Sequence, residues 1–304
     1  MKQVWHSRGV VVGAPVPARW ARSHAALPVV FGSGSDLALL CSSRDDRGRS
    51  HIASGRVDLE AGAASFDDEP AVTIGELGAF DDSGVTSSCV VSHEGRVLQY
   101  YTGWSLGVTV PFVLGIGCAE SDDGGRTFRK VSPAPVLGRT AIDPYLTASP
   151  SVLVEGDTWR MWYVSGSDWR ATADGVEHRY HVRYAESTDG VRWEPTGRVC
   201  VDYRDEHETA IARPCVVRDT DAYRMWFCSR GDAYRIGYAE SSDGLTWTRH
   251  DDAIEISGGN GWDSDMQAYP FVVDHDGTRH MLYNGNGYGA TGIGHAVLER
   301  WATT

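Results

Sequence analysis

The sequence predicts an all-β protein: a five-bladed β-propeller of four-stranded blades, its ring closed by the N-terminal strand joining the C-terminal blade. Three observations predict it. One phrase recurs, as "CAESDDGGRTF" from Cys118, "YAESTDGVRW" from Tyr184 and "YAESSDGLTW" from Tyr238. The chain holds 35 Gly and 11 Trp, which suits tight turns between short aromatic-rich strands. The last repeat runs out at Trp301 one strand short, while a strand-like run, "QVWHSRGVVV", stands at the start.

Each unit has the same order. The clearest reads "SPSVLVE", "TWRMWYVSG", "RYHVRYAES", a Thr-Asp-Gly turn, then "VRWEPTGRVCV". The next reads "IARPCVV", "AYRMWFCSR", "YRIGYAES", Ser-Asp-Gly and "LTWTRHDDAIEI". The unit before them reads "VTSSCVV", "RVLQYYTGW", "LGIGCAES", Asp-Asp-Gly-Gly and "RTFRKVSPAPVL". Weaker copies are "ALPVVF", "DLALLCSSRD" and "RSHIASGRVDL" near the start, and "AYPFVV", "RHMLYNGNG" and "GIGHAVLER" near the end. The period is about 60 residues, longer than the ~40–45 of a WD-type blade but with the same four-strand content. The expected blades are 23–75, 82–137, 145–201, 209–256 and 266–301 plus 3–12, within one domain of 1–304. In the last blade Trp5 takes the place of Phe128, Trp193 and Trp247.

The repeated phrase is a turn. Its Asp accepts hydrogen bonds from nearby backbone N–H groups, and its Gly supplies positive φ. "SDDGGRTF" also has the SxDxGxTF spacing of the sialidase Asp-box, itself a structural turn. The phrase builds blades and carries no chemistry.

Net charge is −13, so the surface repels phosphate backbones and nucleic acid is not an expected partner. No run reaches membrane-spanning length, and the N-terminus lacks an apolar secretory segment. The six cysteines form no CxxC pair and sit mostly in apolar runs, so they read as buried free thiols. A cytoplasmic location follows as the expectation. No metal site is expected: His178 and His181 in "HRYH" face opposite sides of a strand, and no Cys/His cluster occurs. "YNGNGYGATG" lacks nucleotide-loop spacing and reads as a rim loop, so no cofactor is expected.

"SPSVLVEGDTWRMWYVSG", "RPCVVRDTDAYRMWFCSRGD" and the recurring "YAES" turn resemble the five-bladed propeller glycosidases: arabinanases, xylosidases, invertases, levansucrases and their mannoside-phosphorylase relatives. The resemblance runs along nearly the whole chain. It implies a site at the mouth of the central channel, lined by the first strand of each blade, with carboxylates beside the Pro of those strands. Here the Pro-like positions are Pro28, Ser88, Pro150, Pro214 and Pro270, preceded by Leu27, Ser87, Ser149, Arg213 and Tyr269. None of the five is acidic.

Candidate acids therefore come from the entering loops. Asp81 and Asp82 precede the second blade, Asp143 the third, Glu206 and Glu208 the fourth, and Asp263 and Asp265 the fifth. Asp82 and Glu208 share one offset from their Pro-like positions, and Asp265 lies one residue off. Glu208, Asp82 and Asp265 are the expected catalytic carboxylates, because glycoside hydrolysis needs a proton donor and a second carboxylate that attacks or activates water. His24, at the first inner strand, is a candidate base in place of a missing acid. Arg44, Arg213 and Arg230 can clamp a carboxylate or phosphate. Tyr101, Trp104, Trp169 and Asn284 end second strands and are candidate substrate contacts. The expected function is a glycoside hydrolase-like enzyme acting on a small sugar or glycoside, an anionic one being the variant the arginines suit. Two alternatives stand beside it: a phosphorylase, lyase or isomerase for a sugar-like metabolite, and a binding propeller without catalysis.

Overall fold

A computed structural model describes residues 2–35, 37–173, 175–257 and 261–302. Asp36, Asp174 and both ends of the expected 1–304 span lie outside them. The chain is built from β-strands. β1 (Lys2–Val12) is followed by an antiparallel meander of β2 (Ser23–Phe31), β3 (Leu37–Arg44), β4 (Ser50–Asp58) and β5 (Ala63–Val72). A second meander holds β6 (Gly84–His93), β7 (Arg96–Leu106), β8 (Phe112–Ser121) and the two-residue β9 (Arg129–Lys130). One parallel pair, Ser50 with Gly84, joins the two meanders into an eight-stranded sheet.

The arrangement then repeats. β10 (Thr147–Glu155), β11 (Thr158–Thr172), β12 (Gly175–Ser187) and β13 (Glu194–Val201) make one meander. β14 (Ala210–Arg218), β15 (Tyr223–Arg230), β16 (Tyr234–Ser241) and β17 (Thr248–Arg249) make the next, joined through Tyr180 with Ala210. The last sheet runs in the order β18 (Ile254–Ser257), β1, β21 (Ile293–Ala302), β20 (Thr278–Asn284) and β19 (Ala268–His275). β1 thus pairs antiparallel with β21, Trp5 opposite Leu298, and its free edge takes β18 in parallel.

Turn chemistry explains the meanders. Asp123, Asp189 and Asp243 each accept backbone N–H bonds from the residues that follow, while Ser121, Ser187 and Ser241 accept from the turn glycine. The backbone donors hold the Asp243 carboxyl down at about 2. The aromatic after each turn packs inward: Trp193 and Trp247 donate to Gly190 O and Gly244 O. Trp5 is fully buried, edge-on to Trp226 at 6.2 Å. Such layers fill the space between neighbouring meanders.

The first strands of the five meanders lie side by side. β2 packs beside β6, β6 beside β10, β10 beside β14, β14 beside β19, and β19 beside β2. Each breaks register next to its Pro-like position. There Leu27, Ser149, Arg213 and Tyr269, each before a Pro, have φ of 56°, 46°, 55° and 55°. Left-handed backbone at four non-glycine residues stores strain, and it concentrates where the inner strands meet.

Candidate functional site

A cavity of about 340 Å³ opens where the five inner strands converge. Every inner strand contributes to it: His24 and Leu27 from β2, Thr86 from β6, Ser149 from β10, Ala212 from β14 and Tyr269 from β19. Arg44, Trp104, Phe112, His178, Tyr180 and Tyr288 complete its chemically active wall, with Ser42, Ser50 and Thr102 adding hydroxyls. Among the described residues, no carboxylate lines it. It is an aromatic, hydroxylated and cationic site.

His24 sits with φ of 63°, its Nδ1 3.0 Å from Ser23 Oγ. Burial lowers its proton affinity and the Arg44 charge lowers it further, so the ring is neutral at neutral pH. Arg44 ends β3, is exposed, and makes no ion pair among the described residues. On the facing wall His178 stacks on Tyr180 with centroids 5.0 Å apart and rings nearly parallel. Burial, then the nearby Arg230 charge, hold His178 down at about 4. Tyr180 shares a hydroxyl–hydroxyl bond with Tyr234, which touches Tyr269 and Tyr288. Trp104 lies flat against Gly84, where a Cβ would meet its ring nitrogen at 1.9 Å.

Of the expected residues, His24, Arg44 and Trp104 reach the cavity. Trp169 stands one layer back, edge-on to Phe112 and His178 at 5.3 and 5.7 Å. Arg230 binds Thr209 Oγ1 at 3.1 Å and Glu177 at 3.5 Å, behind the tyrosines. Asn284 is fully buried as a tie between strands. It accepts from Leu27 N and donates to Ala25 O and Gly292 O. Arg213 is buried beneath the cavity and donates to Pro28 O, Ser87 O and Ser88 O.

The three expected carboxylates lie elsewhere. Glu208 takes both oxygens to Arg249, at 2.7 and 2.8 Å, and accepts from Arg204 N. Burial alone would raise its pKa, but these donors outweigh it and hold the carboxyl below its usual range. Its nearest depression is a separate one, shared with Arg204, His207 and Arg235. Asp82 caps a turn through Gly78 N and Ser83 Oγ. Asp265 is exposed and bonded to Ser264 Oγ.

A different set of acids repeats. Asp81, Asp143 and Asp263 stand seven residues before Ser88, Pro150 and Pro270. Each accepts from a tyrosine twenty residues later: Tyr101 at 3.0 Å, Tyr163 at 2.9 Å and Tyr283 at 2.9 Å. Lys130 also binds Asp81, and Ser165 and Arg183 bind Asp143. Glu208 is one residue nearer its proline, one methylene longer, and pairs with Arg249 in the same manner. Asp81, Asp143 and Asp263 clamp their entering loops to the second strands β7, β11 and β20, and Glu208 clamps its loop to Arg249 of β17. The constant Asp-to-Tyr spacing was the sequence signal for them. His178, Tyr180, Tyr269, Tyr288 and Phe112 had no comparable signal, since aromatics on strands are mostly core.

No family model matches the chain. Over 300 residues it is 45% identical to "Uncharacterized protein Rv1502" of Mycobacterium tuberculosis strain H37Rv and to "Uncharacterized protein MT1551" of strain CDC 1551, covering 97% of this chain and 99% of each relative. Among solved structures it is similar to one named "Glycoside hydrolase", with TM-score 0.77 and 16% identity over 98% of this chain and 92% of that one. A second is a glycosyl hydrolase from Bacteroides ovatus, with TM-score 0.72 and 14% identity over 94% of this chain and 87% of that one. A third comes from work on "The GH130 family of mannoside phosphorylases", which "contains glycoside hydrolases that target beta-1,2 mannosidic linkages in Candida mannan", with TM-score 0.70 and 14% identity over 91% of this chain and 85% of that one. The chain therefore belongs to one family with these mycobacterial proteins, and its fold is like that of these glycoside hydrolases.

Proposed function

We propose that the chain is a carbohydrate-active enzyme that takes a small anionic sugar or sugar-like metabolite in the inner cavity. We further propose that its acid–base work falls on His24 and the cavity tyrosines. The observation that carries this reading is the lining itself, which has an exposed arginine, two neutral histidines, tyrosine hydroxyls and an aromatic wall. A sugar ring offers an apolar face to Trp104 and hydroxyls to Ser42, Thr86 and Thr102. Arg44 suits a carboxylate or phosphate on that ring. A neutral imidazole is the form a base needs, so His24 can remove a proton beside a carboxylate or carbonyl while Arg44 faces the developing charge. The reaction class that follows is elimination or isomerisation.

A hydrolytic reading rests on the fold likeness. It needs Glu208, Asp82 or Asp265 at the ligand, and both oxygens of Glu208 are engaged by Arg249. As to architecture, the reading takes the three sheets as five blades of one closed ring, the β1–β21 pair being the closure, over a single domain. Six buried, unpaired cysteines support a reducing, cytoplasmic setting. No described helix is long and apolar enough to cross a membrane.

The test is ligand-induced thermal stabilisation with neutral monosaccharides, uronic acids, sugar phosphates and inorganic phosphate. The reading expects uronic acids or sugar phosphates to raise the Tm and neutral sugars to do so weakly, with the shift lost in Arg44→Gln and turnover lost in His24→Asn. A panel without effect at millimolar concentration would remove the carbohydrate reading and leave a binding propeller for another partner.

A further inference from the structure

Arg213 occupies an unusual place. It stands within β14 in left-handed backbone, one residue after the cavity residue Ala212, and is 1% exposed. Its guanidinium reaches two other inner strands. Nη2 donates to Pro28 O of β2 at 2.8 Å, and Nη1 donates to Ser87 O and Ser88 O of β6 at 3.2 and 2.5 Å. Its Nε is buried without an acceptor. Among the described residues no carboxylate lies within ion-pair distance of it, and Cys89, Cys215, Cys228 and Tyr269 are its titratable neighbours. Three carbonyl dipoles solvate the cation only in part, and an isolated buried charge is costly. The buried acids near the inner strands, Asp81, Asp143, Glu208 and Asp263, are bonded to other donors, and among the described residues this charge has no carboxylate partner.

We propose that Arg213 is the specificity-determining charge of the cavity: a guanidinium fixed across the inner strands, whose uncompensated field selects a ligand bearing a carboxylate or phosphate. This rests on the cavity being the ligand site. Arg213 does not line the cavity, so it acts as a positioning and field residue, with Arg44 making the contact at the mouth. Leu27, Ala212 and the Tyr269 ring line the cavity with apolar surface, and a charge beside a low-dielectric lining is screened less than one in water. A fixed charge costs no reorganisation when the ligand arrives.

The experiment compares binding of D-glucuronate with D-glucose, and of D-galacturonate with D-galactose, by calorimetry on the wild type, Arg213→Lys, Arg213→Gln and Arg44→Gln. Arg213→Lys keeps the charge; Arg213→Gln keeps an amide donor for one carbonyl without it. The expected result is a preference for acid over neutral sugar of about tenfold or more in the wild type, retained in Arg213→Lys and largely lost in Arg213→Gln. A merely structural role would lower the Tm of both variants and leave the acid-to-neutral ratio unchanged, which overturns the proposal. A wild type that binds neutral and acidic sugars alike overturns it while sparing the cavity reading. A wild type that binds neither overturns both. Should the variants fail to fold, the wild type still decides: the ¹⁵Nε resonance of Arg213 shifts with D-glucuronate and not with D-glucose, and an unmoved resonance at saturating D-glucuronate rejects the proposal.

Discussion

The cavity and the loop roots one layer outside it divide the polar residues unevenly. The cavity has two histidines, an arginine and several hydroxyls, with no described carboxylate. The roots have Asp81, Asp143, Glu208 and Asp263, all buried and all bonded to a tyrosine or an arginine. Both regions lie close to the same inner strands. An acid near an inner strand is therefore not placed in the cavity by its loop alone. Its destination is set by the donors that meet it, and here second strands and outer strands supply them.

The comparison breaks first at Asp143. It is fully buried and accepts from Tyr163, Ser165 and Arg183. Asp143→Ala leaves a buried hydroxyl pair and a cation without their acceptor, and should cost about 3–5 kcal/mol, read as a lower urea midpoint. A loss under about 1 kcal/mol would mean that the clamp does not hold the loop. Asn284→Ala comes next. Three backbone groups lose their partner, and a cost of about 2–3 kcal/mol is expected by the same measurement.

A pH effect sharpens the contrast in the last sheet. His280 Nδ1 and His295 Nε2 face each other at 2.8 Å, both buried between β20 and β21. Burial, then the neighbouring His280 and Arg8 charges, hold His295 at about 4 against an ordinary 6.5. The facing groups around His280 are His275, Asp274 and Arg8, and burial again lowers it most. The unfolded chain thus binds more protons between about 4 and 6.5, so stability is full above 6.5 and falls as pH drops through that window. His295→Gln should make this limb of a stability–pH curve shallower, His178 contributing in the same direction, while leaving the carboxylate limb below it. An unchanged limb would exclude the pair as its source. The smallest effect is at the turns: Asp243→Ala loses two backbone acceptor bonds and should cost about 1 kcal/mol.

Much of the strand order was legible because it repeats. The Asp-Gly turns, the aromatic after each, and the strand-like start with Trp5 all follow from local chemistry that the structure displays. The site was less legible. Asp81 and Asp82 are adjacent letters, yet one is sealed under Tyr101 and the other caps an outer turn. Arg213 was visible beside Pro214, but its course across to β2 and β6 depends on left-handed backbone that sequence does not display. The "HRYH" spacing speaks only to whether His178 could bind a metal; its role in the wall comes from ring stacking with a neighbour two residues on.

The most direct test of the division between cavity and roots is the ligand-induced Tm shift with D-glucuronate in two variants, Arg44→Gln and Glu208→Gln. The account predicts that Arg44→Gln loses the shift, while Glu208→Gln melts lower without ligand yet keeps its shift. A Glu208→Gln protein that loses the shift, beside an Arg44→Gln protein that keeps it, would contradict the account and return the buried acids to the ligand.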